Sequence, residues 1–154
     1  MKKPKVFVSP MAGKTVTIQE IPDEVFSQKI VGDGVAILPT DDEIFSPVDG
    51  EIIQIAESGH AFCIKSNDNV EILIHIGVDT VNMHGEGFEA LAKVGQKVKK
   101  GELIARADIE LIKQKGYHTH TAVLVTNMNI IKDLHPQICD TIAGETVILK
   151  YNLK

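Results

Sequence analysis

Two histidines define the chemistry open to this sequence. His75 lies within Val70-Glu71-Ile72-Leu73-Ile74-His75-Ile76-Gly77-Val78-Asp79-Thr80-Val81, an apolar, β-branched run of strand length in which a titratable ring replaces an expected hydrocarbon. His60 opens the preceding run, His60-Ala61-Phe62-Cys63-Ile64-Lys65. With an unperturbed pKa of roughly 6.5, imidazole is largely neutral and nucleophilic near pH 7. A histidine that accepts a phosphoryl group needs one neutral nitrogen open to the surface and the other held by a hydrogen bond. It also needs donors or positive charge around the incoming oxygens. Gly77, lacking a side chain, permits close backbone approach to the His75 ring. A core histidine with satisfied ring nitrogens is the competing reading for His75 alone, and the second histidine weighs against it.

The elements that must position this pair form a β-hairpin. The two runs are separated by Ser66-Asn67-Asp68-Asn69, a turn-forming tract. If the turn centres between Asn67 and Asp68, His60 and His75 stand directly opposite each other, roughly 5 Å apart at Cβ. If Asn69 takes the left-handed position of a three-residue loop with a bulge, the register moves by one. The rings then face opposite sides unless a second bulge restores them. Hairpin geometry alone leaves both registers open.

The rest of the chain reads as strands separated at about 8 to 12 residues by Gly, Pro and Asn, the spacing of a sandwich or barrel. A strand, Ser-Pro-x-x-Gly turn, strand unit occurs twice, at Ser9-Pro10-Met11-Ala12-Gly13 and Ser46-Pro47-Val48-Asp49-Gly50. A Gly-Glu turn opening a strand also recurs, at Gly101-Glu102 and Gly144-Glu145. These repeats predict an all-β domain, an antiparallel sandwich or barrel-like fold with pseudo-symmetric halves. Biotinyl and lipoyl carriers share that kind of architecture but need a lysine at an exposed hairpin tip, where this chain has Asn67-Asp68-Asn69. Helical signals are few: Asp23 to Ser27, Gly87 to Ala92, the amphipathic Asp108 to Lys115 with its acidic start and basic end, and Asn129 to Leu134.

At 154 residues the chain is one domain, residues 1–154, with enough length for a substantial core. Its formal charge of -5 and its pI near 5.6 disfavour nucleic acid as a partner. An aromatic content of 5%, with no tryptophan, disfavours a stacking platform for single strands. No apolar run approaches the roughly 20 residues of a membrane span, and Met1-Lys2-Lys3-Pro4-Lys5 leads into a short strand rather than a signal-peptide core. A soluble, cytoplasmic protein with no membrane insertion is expected. Cys63 and Cys139 lie in apolar surroundings without an activating motif, so buried free thiols are expected rather than a disulfide or a nucleophile.

The two histidine runs, with Gly85-Glu86-Gly87-Phe88 after them, resemble the signature of the glucose-type enzyme IIA of the bacterial sugar phosphotransferase system. The resemblance extends through Pro22-Asp23-Glu24-Val25-Phe26, Val31 to Ile37, Ser46 to Gly50 and Thr126-Asn127-Met128. It implies an antiparallel β-sandwich with short helical turns. It also implies a phosphoryl carrier in which His75 is phosphorylated on Nε2 by the phosphocarrier HPr and passes the group to a cysteine on the IIB domain of a sugar permease. His60 then stabilises the phosphoryl group and Ser58, standing where enteric members have Thr, orients the His60 ring. Ser keeps the hydroxyl but loosens its rotamer. No cofactor is required.

Asp79, four residues beyond His75, suits either a backbone hydrogen bond in its own loop or, as the resemblance implies, an acidic rim with Asp23 that faces a basic partner. Val25, Phe26 and Ile30 suit a core on sequence alone, while the resemblance makes them an apolar docking patch for successive partners. Family members of this type also bind regulatory target proteins when unphosphorylated, sometimes with zinc held between the two histidines and a partner carboxylate. The amphipathic N-terminal extension of enteric members is missing, and His84 stands where they carry Lys, with no role assigned to it. A rival from another class is a zinc hydrolase of lysostaphin-like type, using His75 and Asp79 as H-x-x-x-D and His118-Thr119-His120 as H-x-H. Against it, the H-x-H tract reads as an exposed loop before the strand Ala122-Val123-Leu124-Val125.

Overall fold

The computed structural model describes residues 4–154, so Met1, Lys2 and Lys3 of the basic lead lie outside the described residues. In chain order the elements are β1 (Lys5–Val8), β2 (Gly13–Thr17), α1 (Glu24–Ser27), β3 (Asp33–Pro39), β4 (Glu43–Phe45), β5 (Gly50–Ile55), β6 (Ala61–Ser66) and β7 (Glu71–His75). They continue with β8 (Phe88–Ala90), β9 (Lys97–Val98), β10 (Leu103–Ala107), α2 (Ile109–Gln114), β11 (Thr121–Val125), β12 (Ile131–Pro136), β13 (Asp140–Thr141) and β14 (Val147–Leu153). Short 3-10 turns occupy Ile18–Glu20, Thr80–Met83 and Met128–Ile130.

One eight-stranded sheet runs β13-β2-β3-β11-β7-β6-β5-β9, and two three-stranded sheets run β1-β14-β12 and β4-β10-β8. Every paired strand among the described residues is antiparallel. The large sheet ends at β13 and β9 without closing, so the architecture is a sandwich and not a barrel.

The strand order reads symmetrically about the β11–β7 junction, and the two small sheets are equivalent in the same sense. The repeated turns explain why. Ser9 Oγ donates to the Met11 carbonyl at 2.6 Å and Ser46 Oγ to the Val48 carbonyl at 2.7 Å. The two turns then bond reciprocally, Val8 N to the Pro47 carbonyl at 3.1 Å and Phe45 N to the Pro10 carbonyl at 2.8 Å. The Gly-Glu turns close the arrangement, with Gly144 N donating to the Ser9 carbonyl and Gly101 N to the Ser46 carbonyl. Gly101 and Gly144 face each other so closely that a Cβ on Gly144 would lie 3.3 Å from the Gly101 Cα.

The core lies on both faces of the large sheet, unequally. Even-numbered residues of β6 and β7 (Phe62, Ile64, Ile72, Ile74) and odd-numbered residues of β3 and β11 (Val35, Ile37, Val123, Val125) join Ile44, Ile104, Ile148 and Leu149 in the larger cluster. On the opposite face Ala36, Ala122 and Leu124 are covered by Val16, Ile18, Ile21, Phe26 and Val78. Much of that cover comes from the long β2–β3 connection, residues 18–32, which carries α1. The equivalent β5–β6 connection is only residues 56–60, so the outward rows Ala61-Cys63 and Leu73-His75 are only partly covered.

Two helical expectations fail. Phe88-Glu89-Ala90 is strand β8, paired with β10, because the edge of β10 supplies a ladder that three residues between glycines and a loop cannot match as helix. In the Asn129 to Leu134 tract the helical part is a 3-10 turn at Met128–Ile130, and Ile131 onward pairs with β14. The other two segments are helical: Asp23 caps α1 by accepting from Val25 N at 2.9 Å, and Asp108 caps α2 by accepting from Leu111 N at 3.0 Å. Among the described residues no helix is long and apolar enough to cross a membrane.

Candidate functional site

The central hairpin adopts the second of the two registers. Asn69 has φ +66°, Ser66 N donates to the Val70 carbonyl at 2.8 Å, and the ladder runs unbroken from Lys65↔Glu71 to Ala61↔His75. His60 is thus opposite Ile76, whose N donates to the His60 carbonyl at 2.8 Å. The imidazoles meet nonetheless, with ring centroids 5.1 Å apart and planes at 81°. No second bulge in β6 or β7 is responsible. His60 precedes the first residue of β6, and face alternation governs only residues inside a strand. Phe26 packs on the His75 ring at 4.9 Å between centroids, and Phe88 stands 6.3 Å from His60.

His75 Nδ1 lies 2.9 Å from the Gly77 carbonyl. In the neutral ring that nitrogen donates, which leaves Nε2 with the free lone pair. Gly77 has φ +75°, and an added Cβ would meet Thr80 Cγ2 at 2.5 Å and the His118 carbonyl oxygen at 3.0 Å. Burial pushes the His75 pKa below 6.5, opposed by the Gly77 hydrogen bond and by the negative charges of Asp23 and Asp79. His60 is also lowered, first by burial and then by the neighbouring His75. Two neutral imidazoles are the outcome at pH 7.

Asp23 serves as the cap of α1 while its charge reaches His75. Asp79 is exposed at φ +61° and its carboxylate caps nothing, so of its two readings the backbone hydrogen bond within its own loop is not made, while its negative charge acts on His75. Phe26 is 7% exposed and belongs to the core, whereas Val25 at 43% and Ile30 at 67% stand open, against the core reading of those two. Ser58 is partly buried, and His60 Nδ1 is buried without a hydrogen-bond partner, so Ser58 does not hold the ring through that atom. His84 is exposed at φ +52° and closes the 3-10 turn through its backbone.

Sequence reasoning passed over Val81, an exposed apolar residue directly after Asp79-Thr80, although an apolar residue in a polar loop was a signal. It also passed over the shallow groove lined by Gln54, Ala56, Ala61, Phe62, Cys63 and Leu73, which begins at Ala61, the residue opposite His75. Both cysteines are free, and burial followed by the charge of Glu71 pushes the Cys63 thiol up, which makes it a poor nucleophile.

The zinc-hydrolase arrangement is not assembled. His118 and His120 lie 5.8 Å apart between centroids in the loop before β11, but among the described residues no three His, Cys, Asp or Glu side chains gather into a metal-binding group. His118 acts instead through its backbone, its carbonyl accepting from Val78 N at 3.0 Å. His60 and His75 by themselves offer two nitrogens, short of the four ligands of a structural zinc.

Comparison with known proteins gives the family. Residues 5–131 match the family described as phosphoenolpyruvate-dependent sugar phosphotransferase system, EIIA 1. A PTS system glucose-specific EIIA component of Buchnera aphidicola subsp. Acyrthosiphon pisum is 46% identical over 148 residues, spanning 96% of this chain and 91% of its own. A protein of the same description from Bacillus anthracis is 42% identical over 151 residues, spanning 97% of this chain and 92% of its own. The solved structure of glucose permease IIA from Mycoplasma capricolum matches with a TM-score of 0.89 and 32% identity, over 96% of each chain. Matched in sequence and in fold over nearly its whole length, the chain belongs to the EIIA 1 family of the phosphoenolpyruvate-dependent sugar phosphotransferase system.

Proposed function

We propose that this protein is a phosphoryl carrier that takes the group from the phosphohistidine of HPr onto Nε2 of His75 and passes it to a cysteine of the IIB domain of a sugar permease. The observation that carries this reading is the His75 ring tied through Nδ1 to the Gly77 carbonyl beside a second imidazole. In the first transfer the Nε2 lone pair forms a P–N bond as the donor's P–N bond breaks; His75 keeps its Nδ1 proton, hydrogen-bonded to the Gly77 carbonyl, and the donor imidazole keeps the released pair and takes a proton from solvent. In the second, an IIB thiolate forms a P–S bond and the pair returns to Nε2. Positioning and charge stabilisation drive both displacements, and His60 serves the phosphoryl oxygens. Val25, Ile30 and Val81 form the exposed apolar surround, with Asp23 and Asp79 as an acidic rim that steers a basic partner.

Mass spectrometry after incubation with enzyme I, HPr and phosphoenolpyruvate is the test, with an acid-labile phosphate expected on His75. His75→Gln abolishes uptake, whereas His60→Gln still takes phosphate from HPr and fails in onward transfer. The reverse pattern exchanges the two roles and overturns the assignment.

A further inference from the structure

The carbonyl that fixes the His75 tautomer belongs to a residue with no conformational preference of its own. Gly77 at φ +75° is free to turn its peptide, so the direction of its C=O is set by what holds the chain on either side. Three hydrogen bonds do this. Ile76 N donates to the His60 carbonyl at 2.8 Å and Val78 N to the His118 carbonyl at 3.0 Å. The third is the only one of the three made by a side chain: Thr80 Oγ1 donates to the Ile76 carbonyl in a very short bond.

Thr80 is completely buried. It begins the Thr80–Met83 turn, yet its hydroxyl does not serve that turn and points back at the loop following His75. Its methyl lies against Gly77, where an added Cβ would come within 2.5 Å of it. A β-branched side chain with few χ1 choices is suited to hold hydroxyl and methyl in these two places at once.

We infer that Thr80 is a positioning residue for phosphoryl transfer: through the Ile76 carbonyl and the Gly77 backbone it aims the Gly77 C=O at His75 Nδ1 and so keeps Nε2 unprotonated. The inference rests on the proposed role of His75 as acceptor. Thr80 touches no reacting atom and acts only through the backbone.

The test combines ¹⁵N chemical shifts of the His75 imidazole with the rate of phosphate uptake from phospho-HPr. Thr80→Val keeps shape and removes the donor; Thr80→Ser keeps the donor. In Thr80→Val the His75 ring becomes a mixture of tautomers and uptake slows about tenfold, the worth of one ordinary hydrogen bond. Thr80→Ser keeps the Nδ1–H tautomer and stays within about threefold of the parent rate. Parent-like tautomer in Thr80→Val overturns the inference whether or not the rate falls, since a slower variant with an unmoved tautomer marks a merely structural role. If the valine variant does not fold, Thr80→Ala, which also lacks the hydroxyl, is read by the same two outcomes, and a dominant Nε2–H tautomer in neutral His75 of the parent overturns the inference outright. Phosphate found on a residue other than His75 defeats the proposed function instead, and the tautomer measurement stands apart from it.

Discussion

The pKa of His75 is lowered because burial outweighs the Gly77 bond and the carboxylates nearby, and that of His60 because burial and the neighbouring His75 both lower it, with two consequences. The His75 ring titrates below its ordinary value of 6.5, so the midpoint of the acid-side decline in phosphate uptake should lie below pH 6.5. An NMR titration or pH–rate midpoint at or above 6.5 contradicts this. The second consequence concerns stability. A histidine whose folded pKa is depressed binds fewer protons folded than unfolded, so acidification favours the unfolded chain. The loss begins as pH falls through 6.5 and is complete below the folded pKa. His60, His75 and His120 all have this sign, each with burial as the first cause. The denaturation midpoint should therefore fall between pH 7.5 and 5.5, and less steeply in His60→Gln. Equal slopes in the two proteins remove His60 from the account.

The helix α1 shows how one short element can serve core and surface together. Asp23 caps it, Phe26 turns inward against His75, and Val25 with Ile30 just beyond remains open. Phe26→Ala should cost about 3 kcal/mol, the ordinary price of emptying a buried aromatic site, and should loosen the His75 ring. Ile30→Asp should change stability by no more than about 0.5 kcal/mol while raising the HPr concentration needed for half-maximal transfer. Chemical denaturation alongside transfer kinetics separates the two. A strongly destabilised Ile30→Asp with unchanged kinetics removes Ile30 from the docking surface. The capping signals of α1 and α2 were legible in the chain, since an Asp cap is a local matter. Strand β8 was not legible, because three residues become a strand only when β10 offers them an edge.

At the scale of the molecule, the pseudo-two-fold arrangement explains why there is one site and not two. Following the registers inward from Gly13 and Gly50, through Pro39 and Ser66, places Leu124 in the position equivalent to His75. Leu124 is fully buried under the cover that includes α1, while His75 lies at the border of the half that lacks such cover. The symmetry holds at the Gly101–Gly144 contact, remote from this border in the chain. Gly144→Ala, at φ +75° and against Gly101, should cost about 1–3 kcal/mol while leaving the transfer rate per folded molecule unchanged. A thermal melt with a transfer assay checks both, and an altered rate would tie the glycine contact to the site.

The amino-acid sequence by itself determined most of the strands, the paired turns and two capped helical turns, and singled out His75 as the candidate ring, because each depends on neighbours in the chain. Alternation, Ser-Pro-x-x-Gly turns and Asp caps all act over a few residues. Only the tertiary structure decided whether the two imidazoles meet. The hairpin register sends them to opposite faces, and they come together because His60 lies just outside its strand and is free of the alternation. It also decided that Val25 and Ile30 face outward, that His118 contributes a carbonyl and not a metal ligand, and that Thr80 reaches back to the loop after His75. Those outcomes depend on which distant segment covers which face, and no short stretch of the chain encodes that alone.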